Sequence, residues 1–280
     1  MVIIRIQGGL GNQLFQYALY RSMEVCGTEA KVDVSDYLSG REKRAYELPK
    51  LGLSPKTADK TELHRYFADN TRMIDRACRY TIGRNKYKKE KNFDYEPWVL
   101  NINDGYLSGY WQNDRYFKDA AQELRQSIRF RQADAADIIH YRDLMEAGNS
   151  VSIHIRLGDY ADTSELYGGI CTVEYYKKAV DYIHGKVDNP VFYVFSDTHD
   201  KVEEVLAGCK YELVEGNSGE KSYLDMYLMS RCRHHIIANS TFGWWGAWLD
   251  ERADKIVVTP SKWNHLCKGH GICCEGWIML

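Results

Sequence analysis

Residues 152–159 (SIHIRLGD) place three chemically active side chains, His154, Arg156 and Asp159, in and just after a short apolar run. Side chains alternate between the two faces of a strand, so His154 and Arg156 share the face opposite the isoleucines. Burying a histidine and an arginine in a sheet costs free energy unless they meet a ligand or a counter-charge. The guanidinium of Arg156 offers a planar set of N–H donors that suits a diphosphate. The structural alternative is an ion pair between Arg156 and Asp159.

Residues 235–249 (HIIANSTFGWWGAWL) combine a buried strand, a polar turn and a helix. A helix N-terminus presents N–H groups and positive dipole character, which together favour a diphosphate. The hydroxyls of Ser240 and Thr241 add further donors. For these residues alone, ordinary N-capping by Asn239 or Ser240 is the alternative. The same helix carries two tryptophans that we expect in the core rather than against a sugar: Trp244 and Trp248.

A glycine-rich loop, residues 8–13 (GGLGNQ), follows the apolar residues 2–6. It lacks both the lysine of a P-loop and the GxGxxG spacing of a dinucleotide site. Its glycines allow a ligand to approach the backbone closely, and Asn12 can bind that ligand or cap the following helix. The loop alone is a weak functional signal.

Three further polar residues end or interrupt apolar segments. Ser196 and Asp197 end a predicted strand, and Asp225 lies on a predicted helix. The alternatives are a helix cap for Asp197 and a solvated helical face for Asp225.

No Asp-x-Asp sequence occurs anywhere in the chain. The acidic pair that commonly holds a divalent metal in nucleotide-sugar enzymes is therefore missing, and an arginine and a helix N-terminus must neutralise the diphosphate instead.

The elements around these residues indicate an α/β fold. From residue 151 strands and helices alternate, which is typical of a mostly parallel sheet with helices on both faces. Earlier in the chain, residues 115–130 and 134–145 are predicted helices, whereas residues 40–100 show weak periodicity. We predict two Rossmann-like lobes with a cleft between them: an N-terminal lobe, 1–149, and a C-terminal lobe, 150–280.

Composition limits the class of protein. The 280 residues are 44% apolar and 27% charged, and the formal net charge of −2 gives no reason to expect a nucleic-acid partner. No apolar run is long enough to span a membrane, and no signal peptide is recognisable. The basic residues 84–91 are interpreted as a solvated face, with contact to an anionic membrane as the alternative.

The eight cysteines fit reduced thiols in a cytoplasmic protein. Five cysteine and histidine residues gather near the C-terminus, at spacings that match no standard zinc pattern. An ordinary thiol-rich tail is the interpretation, and a zinc site is the alternative. The residues are His265, Cys267, His270, Cys273 and Cys274.

Four segments together resemble glycosyltransferase family 11, the bacterial and animal α-1,2-fucosyltransferases. They are residues 8–18 (GGLGNQLFQYA), 154–160 (HIRLGDY), 195–197 (FSD) and 238–249 (ANSTFGWWGAWL). They occur in the family's order and span nearly the whole chain. After FSD the family often has a second acidic residue or a tryptophan, whereas this chain has Thr198 and His199.

The resemblance implies a GT-B-like fold and a metal-independent, inverting transfer of L-fucose from GDP-β-L-fucose to the 2-hydroxyl of a terminal galactoside. It implies that Arg156 holds the β-phosphate, with His154 and Asp159 as candidates for the base. The remaining donor-binding residues that it implies are Gly11, Asn12, Ser196, Asp197, Asp225, Ser240, Thr241 and Phe242.

The acceptor is expected to be a galactose-terminated glycan, free or lipid-linked, with the enzyme in the cytoplasm or at the inner face of the membrane. Residues 40–115, including the segment 109–113 (GYWQN), are expected to shape the acceptor pocket. Two alternative functions stay open. One is a fucosyltransferase of another linkage, and the other is a non-catalytic nucleotide-sugar-binding protein.

Overall fold

A computed structural model describes residues 1–79, 81–83, 85–156, 165–265 and 272–280. The chain divides into two compact units, Met1–Arg129 and Phe130–Leu280. The sequence predicts a junction near residue 149. The division after Arg129 instead assigns the helix that precedes residue 149 to the second unit. None of the described helices is long and apolar enough to cross a membrane.

The first unit contains a parallel sheet whose strand order is β2-β1-β4-β3. Its strands are β1 (Val2–Arg5), β2 (Ala30–Asp33), β3 (Tyr87–Lys89) and β4 (Gly105–Ser108). Its helices are α1 (Leu10–Val25), α2 (Ser35–Leu38), α3 (Lys60–Arg65), α4 (Met73–Cys78) and α5 (Ala121–Ser127). Strand β1 lies inside the sheet and is apolar, and α1 is buried along most of its length. The predicted strand–loop–helix opening is confirmed.

The second unit contains a parallel sheet whose strand order is β10-β9-β8-β5-β6-β7. Its strands are β5 (Ser150–Ile155), β6 (Val191–Ser196), β7 (Tyr211–Leu213), β8 (His234–Ile236), β9 (Val257–Thr259) and β10 (Ile278–Met279). Its helices are α6 (Ala136–Ala147), α7 (Val173–His184), α8 (Val202–Val205), α9 (Tyr223–Arg231) and α10 (Thr241–Leu249). The strand–helix alternation predicted after residue 151 is confirmed.

Strand β5 is central to the second sheet, because the chain adds β6 and β7 on one side of it and β8 to β10 on the other. One face of β5 supplies Val151, Ile153 and Ile155 to the apolar core, where α7 also packs. In open parallel sheets, ligands bind at the carboxyl ends of strands where the strand order reverses direction. That position in this sheet is the carboxyl end of β5 and its two neighbours.

The helix predicted over residues 115–130 is not continuous. Two short 3₁₀ turns precede α5, and Phe117 between them has a non-helical backbone with φ −138° and ψ 24°. The predicted apolar face is nevertheless buried. The helical spacing of its residues was therefore predicted correctly, whereas the prediction of one continuous helix was wrong. Its members are Tyr116, Ala120, Leu124 and Ile128.

Candidate donor-binding site

Arg156 and Asp197 meet at the carboxyl ends of two adjacent strands. Strands β5 and β6 are parallel and in register, with Ile155 opposite Ser196, so the residues that follow them emerge side by side. Arg156 Nε lies 3.2 Å from Asp197 Oδ2, and both side chains are about three-quarters buried, at 24% and 27% exposure. The structure therefore pairs Arg156 with Asp197. The alternative partner, Asp159, lies outside the described residues.

His154 lies on the same face of β5, one strand repeat before Arg156. Its side chain is buried, and its Nδ1 atom has no hydrogen-bond partner among the described residues. The ring lies 5.9 Å from that of Phe242 at the start of α10. Burial and the nearby Arg156 charge lower the pKa of His154 to about 4, against a smaller opposing effect of Asp197. The imidazole is therefore neutral at pH 7.

The turn before α10 leaves the helix start without a side-chain cap. Ser240 is the N-cap residue, but no side-chain capping hydrogen bond forms. Asn239 is instead held by the carbonyl of Trp263, which accepts from its amide at 3.1 Å. Ordinary side-chain capping, the alternative weighed for these residues, is thus not what the structure has. Thr241 and Phe242, the first two residues of α10, are partly exposed.

Gly243 fits closely against His154, a contact that the sequence analysis missed. A Cβ atom at Gly243 would lie 2.5 Å from His154 Nδ1 and 3.0 Å from Cγ. Atoms at such distances overlap, so only glycine lets α10 start this near to β5. The signal in the sequence was a glycine directly after a polar turn, near a strand that carries a buried histidine.

Asp225 lies on α9, which packs along α10. Its carboxylate accepts a hydrogen bond of 2.9 Å from the buried amide of Asn217. Burial raises the pKa of Asp225 to about 7, although the hydrogen bond from Asn217 opposes this shift. The solvated helical face weighed for Asp225 does not fit a carboxyl group in these surroundings.

Ser196 uses its hydroxyl locally. Its Oγ accepts a hydrogen bond of 3.1 Å from the backbone N–H of Thr198 and so closes the turn after β6. A helix cap is the alternative that the sequence offers for Asp197, and in the structure Asp197 pairs with Arg156.

In the first unit, Gly11 and Asn12 lie in the first turn of α1. The Asn12 Oδ1 atom accepts a hydrogen bond of 2.8 Å from Gln112. Gly8 has a positive φ of 79°, and a Cβ there would lie 2.7 Å from Asn12 Nδ2. The glycine loop therefore depends on glycine at position 8, both for its backbone angle and for space.

The aromatic residues singled out in the sequence lie mainly in the core. Trp244 and Trp248 are buried, as predicted. Trp111 is also fully buried, so its ring has no exposed face on which a sugar could stack. In the cysteine- and histidine-rich tail, His265 Nε2 lies 2.8 Å from the carbonyl oxygen of Gly168. Cys267 and His270 lie outside the described residues. In the part of the chain that is described, no three metal-binding side chains come together.

A second polar cluster lies deep in the sheet of the second unit. Ser152 Oγ lies 2.9 Å from His235 Nδ1, and His235 Nε2 lies 3.1 Å from Asp250 Oδ2. All three side chains are buried. Burial lowers the pKa of His235 to about 4, whereas His235 and Arg252 hold the pKa of Asp250 near 2 despite burial. A neutral imidazole thus bridges a hydroxyl and an ionised carboxylate.

Sequence comparison connects the whole chain to known glycosyltransferases. The model of glycosyl transferase family 11 matches residues 1–279. An α-1,2-colitosyltransferase of Escherichia coli is 31% identical, over all of this chain and 99% of its own length. The O-antigen biosynthesis glycosyltransferase WbnK of Escherichia coli is 31% identical, over 98% of this chain and 99% of its own. A galactoside α-(1,2)-fucosyltransferase 1 of Lagothrix lagotricha is 25% identical over 51% of this chain and 42% of its own length.

Solved structures show the same fold. The α-1,6-fucosyltransferase NodZ, soaked with GDP-fucose, matches 89% of this chain and 92% of its own, with a TM-score of 0.53 and 12% identity. An Arabidopsis thaliana FUT1 variant in complex with GDP matches 92% of this chain and 70% of its own, with a TM-score of 0.55 and 14% identity. The predicted α/β, GT-B-like fold is confirmed. The match of the family model to residues 1–279, together with the 31% identical relatives, shows that the chain belongs to glycosyl transferase family 11.

Proposed function

We propose that this glycosyltransferase moves L-fucose from GDP-β-L-fucose to the 2-hydroxyl of a terminal galactoside, with inversion. The observation that carries the proposal is the position of Arg156, paired with Asp197 at the end of the strand whose His154 contacts the start of α10. That arrangement suits a diphosphate. The related galactoside α-(1,2)-fucosyltransferases support the donor, the linkage and the acceptor.

The mechanism follows from where charge develops. As the sugar–phosphate bond breaks, the sugar becomes oxocarbenium-like and the β-phosphate gains negative charge. Arg156 and the N–H groups of the turn from Ser240 to Phe242 stabilise that charge. Such a preorganised donor is worth about 3–4 kcal/mol of transition-state stabilisation. Asp197 holds the guanidinium in position, Ser196 shapes the turn beside it, and Asp225 receives the guanine. On the first unit, Gly11 and Asn12 contact the fucose and the adjoining phosphate.

The acceptor hydroxyl loses its proton to a base, for which Asp159 and His154 are the candidates. A pKa of about 4 makes the buried His154 a weak proton acceptor at neutral pH. We therefore favour Asp159. Asp159→Asn should then lower the transfer rate more than His154→Gln does, at donor and acceptor concentrations that saturate both variants.

Substitution of Arg156 tests the proposal. Arg156→Lys retains a positive charge but loses the planar fork, so we expect kcat at saturating donor to fall about 100-fold. Arg233→Lys is the matched control, because Arg233 is an exposed arginine beside the same sheet that pairs with Asp254. Near-normal turnover of Arg156→Lys would contradict the role of Arg156 in holding the phosphate.

We propose that no divalent metal takes part, because Arg156 and the helix start supply the positive charge that the diphosphate needs. Transfer should then continue in excess EDTA at an unchanged rate. Loss of activity in EDTA that Mg²⁺ or Mn²⁺ restores would show that this part of the proposal is wrong.

The similarity to an α-1,2-colitosyltransferase raises a second donor. Colitose is the 3-deoxy analogue of fucose, so the two donors differ by one hydroxyl group. A site that hydrogen-bonds this hydroxyl rejects the deoxy sugar by about 10⁴-fold, whereas an apolar contact discriminates weakly. Comparing kcat/KM for GDP-fucose and GDP-colitose decides between the donors. Linkage analysis of the product then separates 2-hydroxyl transfer from another fucosyl linkage.

A non-catalytic nucleotide-sugar-binding protein is distinguished by turnover. GDP release from GDP-fucose should rise strongly when lactose is added. GDP-fucose binding without release, with or without any galactoside, would instead indicate a binding protein.

We also propose that the enzyme acts in the cytoplasm on a lipid-linked glycan and contacts the membrane peripherally. In and after α4, three large apolar side chains are exposed, while Asp69 and Asp75 are buried and contribute little surface charge. The apolar residues are Met73, Ile74 and Ile82. Co-sedimentation should show binding to vesicles containing phosphatidylglycerol that Met73→Ser/Ile74→Ser weakens, with Leu144→Ser as an exposed apolar control.

A further inference from the structure

A cavity of about 330 Å³ lies in the first unit, and four of its six lining residues fall within residues 40–115, which are expected from the sequence to shape the acceptor pocket. The six side chains that line it are charged or amide groups, which can hydrogen-bond the hydroxyl groups of a sugar. The lining residues are Arg5, Asp36, Arg41, Glu42, Asn70 and Arg76. The volume suits one or two sugar rings, at the lower end of the range for ligand pockets.

The position of this cavity is that of a ligand site. Arg5 is the last residue of β1, and Asp36 follows β2 within α2. Strands β1 and β2 are parallel neighbours, so the cavity lies at the carboxyl ends of adjacent strands, where α/β sheets bind ligands. Arg5 lies at the carboxyl end of β1, as Arg156 lies at the carboxyl end of β5. The reasoning that identified Arg156 as a candidate ligand-binding residue therefore applies to Arg5 as well.

The wall of the cavity is preorganised around Asp36. Arg5 Nε donates to Asp36 Oδ2 at 3.0 Å, and Arg41 Nε donates to Oδ1 at 2.9 Å. Asn70 Nδ2 lies 3.1 and 3.2 Å from the two oxygens. Burial alone raises the pKa of Asp36, but Arg5 and Arg41 reverse this and hold it below its usual value. Each guanidinium has five N–H groups, so donors remain for hydroxyl oxygens of a ligand.

The cavity is joined to the glycine loop by direct contacts. Glu42 Oε2 accepts a hydrogen bond of 2.9 Å from the backbone N–H of Gly8. The Tyr37 hydroxyl donates to the carbonyl oxygen of Gly8 at 2.6 Å. Gly8 in turn packs against Asn12, to which the proposed function assigns a donor contact. A sugar in the cavity would therefore lie beside the loop that the transfer reaction uses.

Arg76 differs from the other arginines of the cavity, because its guanidinium is not held in the ion-pair network around Asp36. It lines the cavity from α4 but forms no ion pair with any residue that the structure describes. With three arginines and two carboxylates, the cavity carries a net positive charge. A solvated guanidinium at its rim can bind a ligand without first breaking an internal pair.

We propose that this cavity is the acceptor subsite, which binds the hydroxyl groups of the galactoside through Arg41, Arg76 and the groups fixed around Asp36. This inference rests on the proposed function. It adds residues of the first unit that determine which acceptor is used.

Steady-state transfer from GDP-fucose to lactose tests the inference, with Arg76→Ala and Arg41→Ala as the variants. Each should raise the KM for lactose about tenfold, which corresponds to one lost charge-assisted hydrogen bond, while the KM for GDP-fucose serves as the internal reference. The matched controls are Arg72→Ala, an arginine that flanks α4 and pairs with Asp75, and Lys43→Ala, an exposed neighbour of Arg41. Both controls should keep the parent's KM for lactose.

Two results would overturn the assignment. One is a KM for lactose within twofold of the parent in both arginine variants. The other is an equal rise in both KM values, which would indicate a general effect on the fold. Absence of transfer to lactose or any other galactoside by the parent enzyme would instead refute the proposed function itself.

Discussion

Gly243 offers a direct test of how the fold positions the candidate donor site. In Gly243→Ala the new Cβ would lie 2.5 Å from His154 Nδ1, whereas ordinary contact begins at 3.4 Å. Because the imidazole is buried on the central strand, the start of α10 must retreat by about 0.9 Å. Overpacking of this size costs about 1–3 kcal/mol, against which alanine regains up to about 1 kcal/mol of helix propensity.

The free energy of unfolding should therefore fall only slightly, while GDP binding should weaken strongly. A displacement near 1 Å of groups that hold a ligand can cost about 100-fold, so we expect the Kd for GDP to rise between about 10- and 100-fold. Isothermal titration calorimetry measures this Kd, and urea denaturation measures the stability. Gly148→Ala is the control, because a Cβ there would meet no atom within 4 Å and its φ of −130° suits alanine, so GDP binding should stay intact.

A double-mutant cycle identifies the contact responsible. His154→Ala removes Nδ1 and Cγ and leaves the nearest remaining atom, Cβ, at 3.2 Å. In that background Gly243→Ala should lose most of its effect on GDP binding, which gives a coupling energy of about 1–2 kcal/mol. Simple addition of the two single effects would show that Gly243 does not act through His154, and the steric reasoning would fail.

Two further predictions concern titratable groups. A carboxylate at Asp225 that receives guanine N–H groups must be ionised, so GDP affinity should rise as pH increases through about 7 and then level off. In Asp225→Asn the phosphate groups of GDP still titrate but residue 225 does not, so calorimetry should show a smaller rise of GDP affinity with pH. Identical pH profiles for the variant and the parent would show that the Asp225 carboxylate does not bind the guanine. Separately, the pKa of Asp250 falls from 3.8 to about 2 on folding, so Asp250 contributes stability above pH 3.8 that is lost as pH falls towards 2. Asp250→Ala should lower the free energy of unfolding by about 2–4 kcal/mol in urea at pH 7, and the exposed-residue control Asp254→Ala by almost nothing. Equal losses would contradict the buried network.

The central part of the candidate site was predictable because it depends on strands with strong local signals. Apolar residues alternate at positions 151, 153 and 155 and run continuously over 191–195, and consecutive parallel strands are usually neighbours. The residues that follow the two strands, Arg156 and Asp197, therefore had to lie close together. The pairing itself, at 3.2 Å, required the register that only the folded sheet supplies.

The first unit was less predictable because β3 and β4 lie within and just after the segment of weak periodicity, without the strand–helix alternation that marks the second unit. Strand β3 has three residues and β4 has four, and β4 becomes a strand because it pairs with β1 on one side and β3 on the other. No window of three or four residues shows a clear period. The individual side chains around Asp36 could not be singled out in the sequence, because they are spread over more than seventy positions and only tertiary structure brings them together.

The buried line of Ser152, His235 and Asp250 also bears on how active sites are recognised by shape. A search for serine hydrolases that uses distances alone would select this hydroxyl, imidazole and carboxylate as a candidate catalytic triad. Here the ring nitrogens have exchanged roles, because Nδ1 faces the serine and Nε2 the aspartate, and in serine hydrolases the order is reversed. Ser152 is only 1% exposed, so a fluorophosphonate reagent could not reach its oxygen. A serine, a histidine and an aspartate in hydrolase-like geometry can thus form a buried hydrogen-bonded network that stabilises a sheet. Solvent access to the serine hydroxyl distinguishes a catalytic nucleophile from such a network.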